Sequence, residues 1–218
     1  MSRVPHQEPG KKVPVSQEEN PWIEGLKTIG LSVVLALGIR TFVAEARYIP
    51  SGSMEPTLEI NDRLLIDKLG YRFREPKRGD VVVFSPPDAL KTQYKDAFIK
   101  RIIGITGDTV EIKDGQVYVN GEKLPEDYTA GIFDEDWPPA DLPPSWPPSE
   151  DVGVVAPDSY LVMGDNRGNS YDSRKWGYVP RDNIIGRAMV RFWPLNRVET
   201  LGNQSLYPDT ETSQAEGN

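Results

Sequence analysis

A single long apolar run, "LKTIGLSVVLALGIRTFVAEA" from Leu26 to Ala46, stands near the N-terminus, and turn residues break the rest of the chain into short pieces. That asymmetry argues against a helical bundle, which needs several long periodic segments. Thr28 to Ile39 supplies 12 uncharged residues, fewer than the roughly 20 a spanning helix requires. Counting on through Arg40 to Ala44 gives a marginal span, provided that Arg40 snorkels to an interface or meets a partner. A buried or interfacial helix and a signal-peptide core are the other readings. No clear small-residue cleavage site precedes Glu45 and Arg47, which favours a retained membrane anchor over residues 23–46. Arg3, Lys11, Lys12 and Lys27 precede the uncharged stretch that starts at Thr28 and favour a single pass with the N-terminus on the cytoplasmic side. Residues 1–22, with Pro5, Pro9, Pro14 and Pro21, read as a polar disordered tail.

From Asn61 the texture changes to strands. "RLLIDKL", "GDVVVFSPP", "AFIKRIIGITGD", "SYLVMGDN" and "IIGRAMVRFW" are short apolar runs bounded by turn residues. "TVEIKDGQVYVNGEKL" reads as a meander, with Asp114-Gly115 and Asn120-Gly121 as two-residue type I′ turns. The expected fold is mostly β, with antiparallel sheets forming a sandwich or coiled barrel over residues 47–200, preceded by one transmembrane helix. Twenty prolines and nineteen glycines suit that reading. "EDYTAGIFDEDWPPADLPPSWPPSE", residues 126–150, holds three Pro-Pro pairs among acids and reads as a surface insertion. Trp137 and Trp146 are expected to pack back on the domain rather than touch a membrane or partner. Residues 201–218 read as a disordered tail.

Composition removes several chemistries. A net charge of −8 argues against a general nucleic-acid binder. With no cysteine, disulfides, thiol nucleophiles and Cys-based zinc sites are excluded. The only histidine, His6, lies in the polar tail, where no packing would hold an imidazole against a serine. A multi-histidine metal site is impossible, so a hydrolase here would draw its base from a lysine or a carboxylate.

Three stretches are candidates for chemistry. Along "AFIKRIIG", strand alternation sets Phe98, Lys100 and Ile102 on one face and Ile99, Arg101 and Ile103 on the other. A lysine facing a core is costly unless neutral or paired. Either this is an edge strand with Lys100 snorkelling or salt-bridged, or Lys100 is desolvated, which lowers an ammonium's pKa towards that of a general base. "IPSGSMEPTL", Ile49 to Leu58, is a turn or a nucleophile loop. If extended, it projects Ser51 and Ser53 to the same side, one to attack a carbonyl and one to help hold the oxyanion. "GDNRGNSYDSR", Gly164 to Arg174, lacks calcium-loop spacing; it is a solvated charged turn or a buttress that holds a polar side chain against Lys100. "GITGD" lacks the Gly-Lys-Ser/Thr of a phosphate loop and reads as a turn.

Taken together, "IPSGSMEPTL", "GDVVVF", "FIKRIIGITGD" and "MGDNRGNSYDSR", in that order after an apolar segment, resemble the sequence boxes of bacterial type I signal peptidases. These are membrane-anchored Ser-Lys proteases that remove signal peptides. The resemblance runs from about Leu26 to Pro194. It implies Ser53 as nucleophile, Lys100 as general base, and Ser51 with the Ser53 N–H as oxyanion hole. It implies Ser170 as the residue orienting the lysine, Asp172 with Arg174 as shapers of that loop, and Asp165 with Arg101 as a supporting ion pair. Substrates would be preproteins cut at Ala-x-Ala sites, and no metal or cofactor is implied. The family often carries one or two spanning segments, of which one is found here, and the 126–150 insertion lies outside its boxes.

Two other readings compete. A LexA-like self-cleaving Ser-Lys protease would need an N-terminal DNA-binding domain where this chain has a polar tail and an apolar run. A non-catalytic membrane-tethered β domain would keep Lys100 at ordinary reactivity.

Overall fold

In a computed structural model the described residues are 21–132, 137 and 153–201. All but the inner ends of the two expected tails lie outside them, as do Trp146 and most of the 126–150 segment. The chain divides into two units, Met1–Ile39 and Arg40–Asn218.

Helix α1, Pro21–Phe42, has 22 residues and none buried. Proline at its first position and Glu24 in its first turn suit a helix start, and Arg40 in the last turn suits its end. At 1.5 Å per residue it is about 33 Å long, enough for the roughly 30 Å hydrocarbon core of a bilayer. Thr28 and Ser32 return their hydroxyls to the helix carbonyls of Glu24 and Thr28, so neither presents an unmet donor on the apolar surface. The helix begins before the expected anchor and stops at Phe42. Ala44–Tyr48 is already a strand, because Glu45 and Arg47 find places in an antiparallel ladder opposite Ile66 and Leu64. The last residues of the expected 23–46 anchor therefore belong to the β domain.

Among the described residues that domain has eleven strands: β1 Ala44–Tyr48, β2 Arg63–Asp67, β3 Val81–Phe84, β4 Phe98–Gly104, β5 Val110–Lys113, β6 Gln116–Val119, β7 Glu122–Lys123, β8 Ser159–Met163, β9 Val179–Pro180, β10 Ile184–Trp193 and β11 Glu199–Thr200. A short helix, α2 Ser173–Trp176, follows β8. The main sheet runs β1-β2-β10-β3-β4-β8-β9, with β11 on β10, and every pair is antiparallel. Register shifts along β10 bend this open sheet into a curl. β5-β6-β7 form the expected meander. Asp114, Gly115, Asn120 and Gly121 all have positive φ, as type I′ turns require.

β3 is buried on both faces. Val82 and Phe84 enter one apolar cluster with Ile102 and Trp176, while Val81 and Val83 enter another with Ile49, Met54 and Leu58. β4 lies between β3 and β8, so the edge-strand explanation of Lys100 is removed. Trp137 bridges to Ile112 and is buried in a third cluster with Val110 and Met163. It packs back on the domain as expected.

Candidate active site

The loop after β1 is staked by its apolar residues. Ile49, Met54 and Leu58 are fully or almost fully buried, and the Ile49 N–H to Asp62 carbonyl and Asn61 N–H to Ile49 carbonyl bonds close the loop at its base. Ser53 is carried between those stakes. Ser51 is extended and exposed, but Gly52–Met54 turns as a 3-10 helix. The condition under which alternation would put both serines on one side, a segment extended throughout, is therefore not met. The cause is tertiary: the Gly52 and Ser53 carbonyls turn towards Asn166, which takes the first with its side chain and the second with its backbone N–H.

β4 delivers the lysine. Lys100 pairs with Val82 across the ladder and shares its face with Phe98 and Ile102. It is only 6 % exposed. Its Nζ donates to Ser53 Oγ at 2.6 Å and to the Ile99 carbonyl at 3.0 Å. Burial pushes its pKa down from 10.5 to about 8; the Asp172 and Asp165 carboxylates oppose that shift and Arg174 adds to it. An amine of that basicity, in contact with a hydroxyl, is suited to take its proton near neutral pH.

Arg101, one residue on, points the other way and does structural work. Its guanidinium forks Asp165, Nε to Oδ1 at 2.8 Å and Nη2 to Oδ2 at 2.6 Å, and reaches the Gly79 carbonyl. Both partners are almost wholly buried. The Tyr128 ring lies against this guanidinium, 4.1 Å from centroid to Cζ.

The Gly164–Arg174 loop is built the same way. Asp172, fully buried, accepts from the Gly164 N–H, caps α2, and is forked by Arg174. Arg174 also donates to the Arg167 carbonyl. Gly164 has no room for a side chain: a Cβ there would sit 2.3 Å from both Ser170 Oγ and the Ser53 carbonyl oxygen. Ser170 thus lies within a few ångströms of the Ser53 backbone. Its hydroxyl is buried and makes no hydrogen bond among the described residues.

Five contributors escape the sequence reading. Glu126 forks the buried Arg167, whose Nε also donates to the Gly164 carbonyl at 2.9 Å. Tyr128 stacks on Arg101, and Thr57 donates to Asp165. Asn166 holds the Gly52–Met54 turn, and its strand-like bridge to Ala130 ties that turn to residues 126–132. The start of the expected surface insertion is therefore a buried support of the site: Tyr128 is 7 % exposed. Asn166 and Arg167 lie inside the quoted Gly-Asp-Asn-Arg stretch, a signal that could have found them; nothing local marks Glu126 or Tyr128. Among the described residues, no group of three or more His, Asp or Glu side chains could hold a metal.

A profile of the family described as "Signal peptidase, peptidase S26" matches residues 22–193. The chain is 53% identical over 208 residues to a signal peptidase I of Leptolyngbya laminosa, covering 94% of this chain and 95% of that one. It is 56% identical over 201 residues to a probable signal peptidase I-2 of Synechocystis, covering 91% and 85%. Signal peptidase IB of Staphylococcus aureus is 34% identical over 186 residues, covering 80% and 91%. These matches span most of the chain, and the chain belongs to the signal peptidase family S26.

Proposed function

We propose that this chain is a membrane-anchored serine endopeptidase that removes signal peptides from exported preproteins, with Ser53 as nucleophile and Lys100 as general base. The observation that carries the reading is the 2.6 Å contact between Lys100 Nζ and Ser53 Oγ, with the lysine buried. Above about pH 8 the amine is neutral and has a lone pair for the serine proton. Ser53 Oγ then bonds to the scissile carbonyl carbon while its proton passes to Nζ. The Ser51 hydroxyl and the Ser53 N–H receive the oxyanion. The new ammonium protonates the departing amine, and water completes hydrolysis of the acyl-enzyme with Lys100 again as base. The Asp165 and Asp172 charges favour the ammonium at the moment it forms, and the family resemblance assigns its orientation to Ser170, whose hydroxyl lies near the Ser53 backbone.

The substrate class follows from relatives named signal peptidase I, and the site preference, Ala-x-Ala, from the family resemblance. Helix α1 serves as the single anchor, with Lys27 on the cytoplasmic side and the β domain across the cell membrane.

The test is cleavage of a preprotein bearing an Ala-x-Ala site by the full chain in detergent, comparing wild type, Ser53→Ala and Lys100→Ala. Mass spectrometry of the new N-terminus should show a cut after the second Ala with wild type only. Cleavage by Ser53→Ala sinks the assignment of the nucleophile. A folded wild type that cleaves nothing would support a non-catalytic binding domain instead.

A further inference from the structure

We infer that Asn166 is a positioning residue for the oxyanion hole: its side-chain amide holds the Gly52 carbonyl and so aims the Ser53 N–H of the same peptide group at the substrate. The inference rests on the proposed function and goes one step past it, from which groups stabilise the oxyanion to what orients one of them.

A peptide unit is planar, and in the trans form its C=O and N–H point in opposite directions. Fixing one end therefore fixes the other. Asn166 Nδ2 donates to the Gly52 carbonyl oxygen at 3.1 Å. The Ser53 N–H at the opposite end of that unit makes no hydrogen bond among the described residues. The next unit is fixed from the same residue, since the Asn166 backbone N–H donates to the Ser53 carbonyl at 3.1 Å. One asparagine thus takes two successive carbonyls of the nucleophile turn.

The turn needs such a clamp. Gly52 has no Cβ, so the plane between Gly52 and Ser53 can rotate at little steric cost. The Glu55 N–H also reaches the Gly52 carbonyl, at 3.2 Å, but Glu55 belongs to the same turn and moves with it. Asn166 approaches from outside, 114 positions away.

Its own backbone is held on both sides. The Ala130 N–H donates to the Asp165 carbonyl at 2.9 Å, and the Arg167 N–H donates to the Ala130 carbonyl at 2.7 Å. Arg167 in turn is pinned by Glu126 and the Gly164 carbonyl. What remains free is one short side chain with two rotatable bonds, aimed at one oxygen.

A capping role is the ordinary alternative. Asn166 stands at the N-cap of the 3-10 turn Arg167–Asn169, where asparagine usually accepts from its own turn. It makes no such side-chain bond here. The amide leaves its local partner and crosses to the nucleophile turn.

Asn166→Ala and Asn166→Asp separate these roles, because both keep the backbone N–H to Ser53 while removing the amide donor. Losing one oxyanion donor outright costs about 10²–10³ in kcat, so a misaimed donor should cost about 10- to 100-fold with KM within about twofold. Affinity for a peptide aldehyde should fall by the same factor, since its oxygen enters the hole only after Ser53 Oγ adds to the carbon. Affinity for the matching peptide alcohol, which cannot add, should stay within about twofold. The inflection of the pH profile should not move in Asn166→Ala, where Lys100 keeps its charged surroundings, whereas the new carboxylate of Asn166→Asp should move it upward, as Asp165 and Asp172 already do.

Wild-type kcat in the variants overturns the proposal. So does a kcat loss without a matching aldehyde loss, or equal losses of aldehyde and alcohol affinity. If Asn166→Ala does not fold, Asn166→Asp, of nearly the same volume, decides, with urea midpoints confirming its fold. Ser53→Ala run in parallel keeps the failures apart: a cleaving Ser53→Ala overturns the reading of the site itself. An inert Ser53→Ala beside a fully active Asn166 variant overturns only the clamp.

Discussion

Replacing Lys100 by methionine removes a charge from the interior while keeping a long apolar stem. The wild-type lysine has its pKa lowered by burial from 10.5 to about 8, so between those values the unfolded chain binds a proton that the folded chain does not. Stability therefore rises with pH across that window; the cost of burying the ammonium is complete below about pH 8 and gone above about pH 10.5. At 1.36 kcal/mol per unit the full cost is about 3 kcal/mol. The methionine variant escapes it but loses the bonds to Ser53 Oγ and the Ile99 carbonyl, about 1 kcal/mol each and independent of pH. The difference in unfolding free energy between variant and wild type should thus drift by about 3 kcal/mol from pH 7 to pH 10.5, in favour of wild type as pH rises. Urea titrations of the full chain in detergent, followed by tryptophan fluorescence, would measure it. A difference that stays flat across that range would show that Lys100 titrates alike folded and unfolded, and the account of its basicity would fall.

Activity should follow the same group with the sign that catalysis requires: kcat/KM rises about tenfold per pH unit below about pH 8 and levels off above it, as pH–rate profiles will show. Asp165→Asn strands the Arg101 guanidinium without its buried partner. The expected loss is about 3–5 kcal/mol in urea unfolding, and Arg101→Met in the same chain should restore most of it. Gly164→Ala forces a methyl within 2.3 Å of the Ser53 carbonyl oxygen. Moving the nucleophile by that route should cost about a hundredfold in kcat, measured by preprotein cleavage.

What the sequence revealed was local or periodic. Asp114-Gly115 and Asn120-Gly121 announce their turns because the φ > 0 requirement is carried by the two residues themselves. Lys100 stood out because a two-residue period put it beside Phe98 and Ile102, and the structure buries it there. The conformation of "PSGSM" was not legible, since Asn166, 114 positions away, turns the Gly52 carbonyl. Nor was the task of Glu126, whose partner Arg167 lies 41 positions on. The acids and prolines around it read as a solvated surface, and only the folded chain shows that the first of them faces inward.

Neighbouring positions on β4 carry the reactive amine and a structural guanidinium on opposite faces of an interior strand. A slip of one residue would exchange them, thrusting Arg101 towards Ser53 and leaving Asp165 facing an isoleucine or a lysine that cannot fork it. Pairing errors are therefore self-reporting in this enzyme. A molecule with the strand misaligned loses its buried Arg101–Asp165 pair together with the Lys100–Ser53 contact proposed for catalysis, so it is expected to be both inactive and less stable. Correct alignment of one strand thus carries two properties at once, since the register that keeps the Arg101–Asp165 pair also sets Lys100 against Ser53.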